Sequence, residues 1–209
     1  MRATAGAMRV VVAAPQLVGR WNVGDSIAVN GVCLTALEVQ LDLGPDVGTF
    51  AADLATETVE RTSLSGLEPG SVVNLELPTP AGSPMGGHVV QGHVDATGTI
   101  VSLVALHLGS DVSDWRLTVE VPLGMVPYIV PQGSITIDGI SLTVARMDGQ
   151  RIEVAIIPHT YHSTNLRGLL PGSVVNLEAD VLSKYAVRQI HTNPSEWRLT
   201  PEYLLANGY

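Results

Sequence analysis

Two histidines and a cysteine are the side chains in this sequence best suited to moving protons or attacking carbon. His88 and His93 lie in the run Gly86-Gly87-His88-Val89-Val90-Gln91-Gly92-His93-Val94-Asp95. A spacing of five places them on opposite faces of a strand, because strand side chains alternate with period two. No further Cys, His or carboxylate cluster accompanies them, so a zinc site is not expected. An imidazole titrates near neutral pH, a property that suits proton transfer. Cys33 is the only cysteine. Read alone, it fits a small buried hydrophobe better than a nucleophile. What singles it out is a second copy of its neighbourhood. Ser26-Ile27-Ala28-Val29-Asn30-Gly31-Val32-Cys33-Leu34-Thr35 returns as Ser134-Ile135-Thr136-Ile137-Asp138-Gly139-Ile140-Ser141-Leu142-Thr143, a shift of 108 positions with five of ten residues identical. Cys33 and Ser141 thus put a small polar atom at equivalent places.

The duplication extends further. The block 68–76, ending Val72-Val73-Asn74-Leu75-Glu76, returns at 170–178 as Val174-Val175-Asn176-Leu177-Glu178, now shifted by 102. Two blocks recurring in the same order mark a tandem repeat. The change of shift puts six extra residues in the first copy, in the loop around Leu43-Gly44-Pro45-Asp46. A third pair of segments matches Glu57-Thr58 and Thr62-Ser63 with His159-Thr160 and Thr164-Asn165, adding hydroxyls at related positions. These groups read either as polar hairpin ends or as two related pockets offering donors and acceptors to a polar heterocycle.

The elements that must position these groups are strands. Trp115, Leu117, Val119 and Val121 alternate with Arg116, Thr118 and Glu120, and Ile152, Val154 and Ile156 alternate with polar or small neighbours. Asn30-Gly31, Asp138-Gly139, Asp148-Gly149, Pro69-Gly70 and Pro171-Gly172 punctuate the runs as turns. Short strands closed by such turns predict an all-β chain, a tandem pair of small six-stranded Greek-key barrels at 1–82 and 83–182, with a helical segment over 183–209. Asp180 is placed to cap a helix through Tyr185 and Ile190, and Thr200-Pro201-Glu202 starts a further short helix ending at Gly208. If Pro15 matches Pro122, the first copy is shorter at its start by about 20 residues, one or two strands of ordinary length. That shortage predicts an open strand edge in the first barrel.

Composition narrows the ligand. A formal charge of −9 with only 11 Lys and Arg argues against a nucleic-acid partner. One cysteine cannot form an internal disulfide, and no run of about 18 apolar residues or export signal is found, so a cytoplasmic protein that does not enter the membrane is expected.

The run Gly24 to Thr35, the Gly-Gly-His…Gly-His-Val-Asp block, Gly133 to Thr143, Ile157-Pro158-His159-Thr160, Val175-Asn176-Leu177-Glu178, Lys184-Tyr185 and the closing 199–209 together resemble the α-type riboflavin synthases, a lumazine-binding repeat family. The resemblance covers nearly the whole chain from about Val10. It implies dismutation of two 6,7-dimethyl-8-ribityllumazine molecules to riboflavin and 5-amino-6-ribitylaminouracil by four-carbon transfer, without metal or redox cofactor. It also implies a homotrimer in which the first module of one subunit faces the second module of its neighbour. Carried over by motif, His93, Cys33, Ser26 and Asp180 are the candidate catalytic residues. Thr35, Thr58, His88, Ser141, Thr143, Ile157 and Thr160 are the candidate substrate contacts. Gln132 stands where the family usually has Lys, Leu77 where Arg commonly follows Asn-Leu-Glu, and the family's opening Met-Phe-Thr-Gly-type strand has no match. The expectation is therefore a chain that binds a ribityl ligand around Ser141, Thr143 and Thr160 but turns over weakly unless such a strand is supplied. A non-catalytic lumazine or flavin carrier is the competing reading.

Overall fold

A computed structural model of the chain describes residues 2–4, 7–40, 48–107 and 113–192. The first module runs β1 (Arg2–Thr4), β2 (Ala7–Ala13), β3 (Ser26–Val29), β4 (Val32–Thr35), β5 (Glu38–Gln40), β6 (Thr49–Leu54), α1 (Thr56–Arg61) and β7 (Leu75–Glu76). The second repeats this order as β8 (Ala96–Ala105), β9 (Trp115–Glu120), β10 (Ser134–Ile137), β11 (Ile140–Asp148), β12 (Arg151–Ile156), α2 (Pro158–Ser163) and β13 (Val174–Ala179). A helix, α3 (Val181–Thr192), follows. Asp180 caps it as the sequence predicts, its carboxylate accepting the Leu182 N–H at 3.0 Å. The second predicted helix, at 200–208, and the six-residue insertion near Leu43 lie outside the described residues.

The second module is a closed barrel in the order β10-β11-β12-β9-β8-β13. Period two does the sorting: Leu117 and Val119 of β9 and Ile152, Val154 and Ile156 of β12 point inward, where they meet Ile135, Ile137, Val175 and Leu177. The first module builds its own core from Val10, Val12, Ile27, Val29, Leu54 and an edge-to-face pair of Trp21 with Phe50, ring centres 5.5 Å apart.

The first module departs from the expected six-stranded barrel in two places. Its fourth strand is broken into β4 and β5 at Ala36-Leu37, and the counterpart β11 carries a bulge at the same place, between Val144 and Arg146. The strand must bend there to turn the barrel corner; in one copy the ladder slips by a residue, in the other it breaks. Closure is the larger difference. In the second module β8 pairs with both β9 and β13 and so joins the two ends of the sheet. In the first, among the described residues, β1 pairs only with β2, and β7 only with β3, giving two sheets in the orders β1-β2-β6-β5 and β4-β3-β7. Register explains why. Arg2 opposite Arg9 corresponds to Val104 opposite Arg116, so β1 stands for positions 104–106, and no described residue stands for 91–102.

The modules meet across a local twofold built from the repeated turns. Asn30 and Asp138 have φ of 45° and 47°, Gly31 and Gly139 of 75° and 83°, the left-handed pairs that a tight hairpin needs. A Cβ on Gly31 would lie 2.6 Å from the Gly139 nitrogen, so the two turns touch backbone to backbone. Around them, side chains cross from module to module. Asn74 Nδ2 donates to the Asp138 carbonyl and to Asn165 Oδ1, both at 2.9 Å, while Asn165 N–H returns a bond to Asn74 Oδ1 at 2.8 Å. Asn176, the repeat partner of Asn74, donates to the Asn30 carbonyl at 2.9 Å and accepts the Ser63 N–H at 2.7 Å. Each bond adds roughly 0.5–1.5 kcal/mol net, and the fixed directions set the orientation of the modules.

Candidate ligand pocket at the module seam

The linker between the modules crosses the seam and closes over both copies of the small polar position. Cys33 N–H donates to the Gly92 carbonyl at 2.9 Å, and a Cβ on Gly92 would lie 2.8 Å from Cys33 Cβ, which is why glycine stands there. At the equivalent site in the second module, His88 Nδ1 lies 2.8 Å from Ser141 Oγ and His88 Nε2 3.1 Å from Thr136 Oγ1. The imidazole bridges two hydroxyls, and its tautomer decides which of them donates. Gly87 packs against the same serine, a Cβ there falling 2.5 Å from Ser141 Oγ.

Under this linker is a cavity of about 630 Å³, lined among others by Ser26, Cys33, Glu76, His88 and Ser141. It carries hydroxyl, thiol, imidazole and carboxylate groups together with the apolar Leu77 and Met85, the mixture a polar heterocycle needs. Of the predicted site residues, the structure brings together Ser26, Cys33, His88 and Ser141. Thr35, Thr143 and Ile157 point outward from their modules, Ile157 at 57% exposure, and Thr58 and Thr160 are half-buried in the first turns of α1 and α2. None of these five lines the cavity. The reason for Thr143 is geometric: it shares the outward face of β11 with Ser141, but the linker covers only Ser141. His93 is exposed and follows Gly92, the residue that holds Cys33. Asp180 is occupied in capping α3, and the Thr62 and Thr164 hydroxyls are used locally, donating to the Thr58 and Thr160 carbonyls at 2.6 and 2.7 Å.

Glu178 and Glu76 are the residues that motif reading passed over. Glu178 is buried and accepts two consecutive N–H groups of the linker, Gln91 at 2.8 Å and Gly92 at 3.0 Å. That bidentate cap anchors the linker just before Cys33 receives it. Both glutamates stood in the recurring Val-Asn-Leu-Glu blocks, but only as markers of the repeat. Asp138 is buried at the seam, and burial pushes its carboxyl up to about 6 against the lowering effect of bonds from the Asn176 N–H and Asn165 Nδ2.

Two related β-barrel modules joined at a polar seam, with a mixed polar and apolar cavity beside it, define a duplicated-barrel protein built to hold a small polar molecule. Comparison with known proteins agrees. The lumazine binding domain family matches residues 2–78 and 91–180. The riboflavin synthase of Mycobacterium bovis is 44% identical over 186 residues, 87% of each chain, and that of Bacillus amyloliquefaciens 36% identical over 212 residues, 100% of this chain and 94% of the other. The chain belongs to the lumazine-binding family of riboflavin synthases. Among solved structures, LumP complexed with riboflavin superposes with a TM-score of 0.72 at 24% identity, covering 83% of this chain and 89% of that one; LumP complexed with 6,7-dimethyl-8-(1'-D-ribityl) lumazine gives 0.71 at 22%, covering 85% and 90%. These two likenesses concern the fold. Among the described residues, no helix is long and apolar enough to cross a membrane.

Proposed function

We propose that this chain is a riboflavin synthase, a transferase that moves a four-carbon unit between two molecules of 6,7-dimethyl-8-ribityllumazine to give riboflavin and 5-amino-6-ribitylaminouracil. The observation that carries the reading is that repeat-related Cys33 and Ser141, one from each module, face one cavity under a shared linker. A reaction between two identical molecules calls for two similar binding surfaces held together, and a tandem repeat supplies them. Most of the rate comes from orienting the pair, since the reacting groups are then no longer free to diffuse apart.

The protein's own groups then manage protons. The methyl at position 7 of the lumazine is acidic because the ring delocalises the carbanion, so a base within reach of it starts the transfer. His93 is the proposed base and later acid. Its support is its place directly after Gly92, whose carbonyl fixes Cys33. His88 acts as a positioning residue, holding the Ser141 and Thr136 hydroxyls. Ser26 and Cys33 contact the first ligand, and the outward groups Thr35 and Thr58, with Thr143, Ile157 and Thr160 in the second module, contact ribityl chains at surfaces completed by a neighbouring subunit. Asp180 is retained as an assisting carboxylate. The proposed assembly is a homotrimer joined through α3, whose Leu182, Tyr185 and Ile190 are apolar side chains exposed among the described residues. The proposed compartment is the cytoplasm, which suits a chain with one cysteine.

Incubation with 6,7-dimethyl-8-ribityllumazine while following riboflavin fluorescence tests the reading. Riboflavin is expected to form, and His93→Ala to lower kcat by about 100-fold or more. Binding of the lumazine with no riboflavin formed at any enzyme concentration points instead to a carrier.

A further inference from the structure

His93 is exposed, so the backbone on either side of it decides where its ring stands. That backbone is fastened twice. Upstream, Gly92 donates its N–H to Glu178 Oε2 at 3.0 Å, and its carbonyl accepts the Cys33 N–H at 2.9 Å. Downstream, Asp95 donates its N–H to the Leu177 carbonyl at 2.9 Å, and its carboxylate accepts the Ala179 N–H at 2.8 Å. Only His93 and Val94 lie between, and Val94 packs on the core of the first module. The span that carries the imidazole is thus held by both modules at once, against the first through Cys33 and Val94 and against the second through Glu178, Leu177 and Ala179.

The downstream fastening has a further partner. The Asp95 oxygen that accepts the Ala179 N–H also lies 2.7 Å from Lys184 Nζ of α3. Both side chains are partly covered, Lys184 at 26% and Asp95 at 31% exposure, where salt screens an ion pair less than in open water. Asp180 sets the place of the ammonium. Its carboxylate caps the Leu182 N–H, and its carbonyl accepts the Lys184 N–H at 3.2 Å, so Lys184 closes the first turn of the helix. Leu182 and Tyr185, on either side of it in sequence, are exposed. One turn of α3 therefore carries both the charge that reaches the linker and apolar side chains turned outward.

We infer that Asp95 and Lys184 are positioning residues for His93. The inference rests on the reading of His93 as the base given above. The ion pair fixes the downstream end of the two-residue span, and through it proton transfer at the lumazine pair depends on the seating of α3. Without the ammonium the carboxylate keeps one N–H donor and turns towards water, so the span loses its charge-assisted anchor while its backbone bond to Leu177 stays. A shift of the imidazole on the order of 1 Å then costs about tenfold or more in rate. Binding is little affected, because neither Asp95 nor Lys184 lines the cavity under the linker.

Steady-state turnover of 6,7-dimethyl-8-ribityllumazine by the full chain and its variants tests the inference. Lys184→Ala, which keeps a strong helix former in α3, should lower kcat about tenfold with KM within about twofold of wild type, and Lys184→Arg should restore most of the loss. Asp95→Asn, of the same shape but uncharged, should lower kcat in the same way. The decisive comparison is with His93→Ala: adding Lys184→Ala to it should slow turnover no further, whereas damage to stability or assembly would add to the loss. Hydrogen exchange at the Val94 and Asp95 amides should quicken in Lys184→Ala. An unchanged kcat in Lys184→Ala, a loss that falls on KM instead, or full additivity with His93→Ala overturns the inference and leaves the proposed function standing. A wild-type chain that forms no riboflavin, or a His93→Ala variant of full kcat, overturns the base role and this inference with it.

Discussion

Asp138 occupies the place that Asn30 holds in the first copy, and the difference is one of charge. Its carboxyl titrates at about 6 in the folded chain, against 3.8 for a free aspartate, because burial disfavours the anion more than two hydrogen bonds favour it. Between about pH 4 and pH 6 the folded state holds a proton that the unfolded state has released. Stability therefore falls as pH rises through that window, by on the order of 3 kcal/mol, and is flat with respect to this group above it. Asp138→Asn should abolish that slope, as read from urea denaturation at pH 4.5 and pH 7; an unchanged slope would mean that the side chain titrates normally. Gly31→Ala is the companion test of the seam. With φ at 75° and the Gly139 nitrogen 2.6 Å from the added Cβ, it should cost about 2 kcal/mol or more in the same assay.

At the scale of elements, the linker is held by few anchors. Glu178 takes two of its N–H groups, and Asp95 accepts the Ala179 N–H at 2.8 Å while pairing with Lys184 of α3 at 2.7 Å. Glu178→Ala leaves two partly buried donors unmet, so a destabilisation of about 2 kcal/mol and faster hydrogen exchange at Gln91 and Gly92 are expected. Unaltered exchange there would show that the linker is fixed by other contacts. Much of this scale was legible in the sequence, and for definite reasons. Alternation exposed β9 and β12, the Asn-Gly and Asp-Gly turns fixed the hairpins, and Asp180 marked the start of α3. What could not be read was which groups the linker would meet. The side chains of Ser141 and Thr143 are indistinguishable by pattern, being two apart on one strand face, and only the path of Gly87 and His88 selects the first. Glu76 and Glu178 looked alike for the same reason: only the path of the linker brings the Gln91 and Gly92 N–H groups to Glu178.

For the whole molecule, duplication is the organising fact. The copies differ in detail: among the described residues none pairs in the first as 96–102 do in the second, and the connection from β1 to β2 is shorter than that from β8 to β9. In the second copy closure depends on one strand, β8, that spans both ends of the sheet. Assembly belongs to this scale too. Leu182, Tyr185 and Ile190 are 71%, 67% and 73% exposed on α3 among the described residues, a cost that the proposed packing between subunits would remove. Leu182→Glu combined with Ile190→Glu should convert the proposed trimer to monomer in light scattering with the barrels still folded; a trimer that survives both changes would place its contacts elsewhere.

The central claim is that the cavity joining Cys33 and Ser141 brings two lumazines into reaction rather than storing one. The measurement that bears on it most directly is the stoichiometry of turnover: 6,7-dimethyl-8-ribityllumazine consumed against riboflavin formed, with the purified chain and no added metal or cofactor. One riboflavin for every two lumazines consumed, with 5-amino-6-ribitylaminouracil in equal amount to riboflavin, is the predicted result. Lumazine bound and recovered unchanged, with no riboflavin, would contradict it.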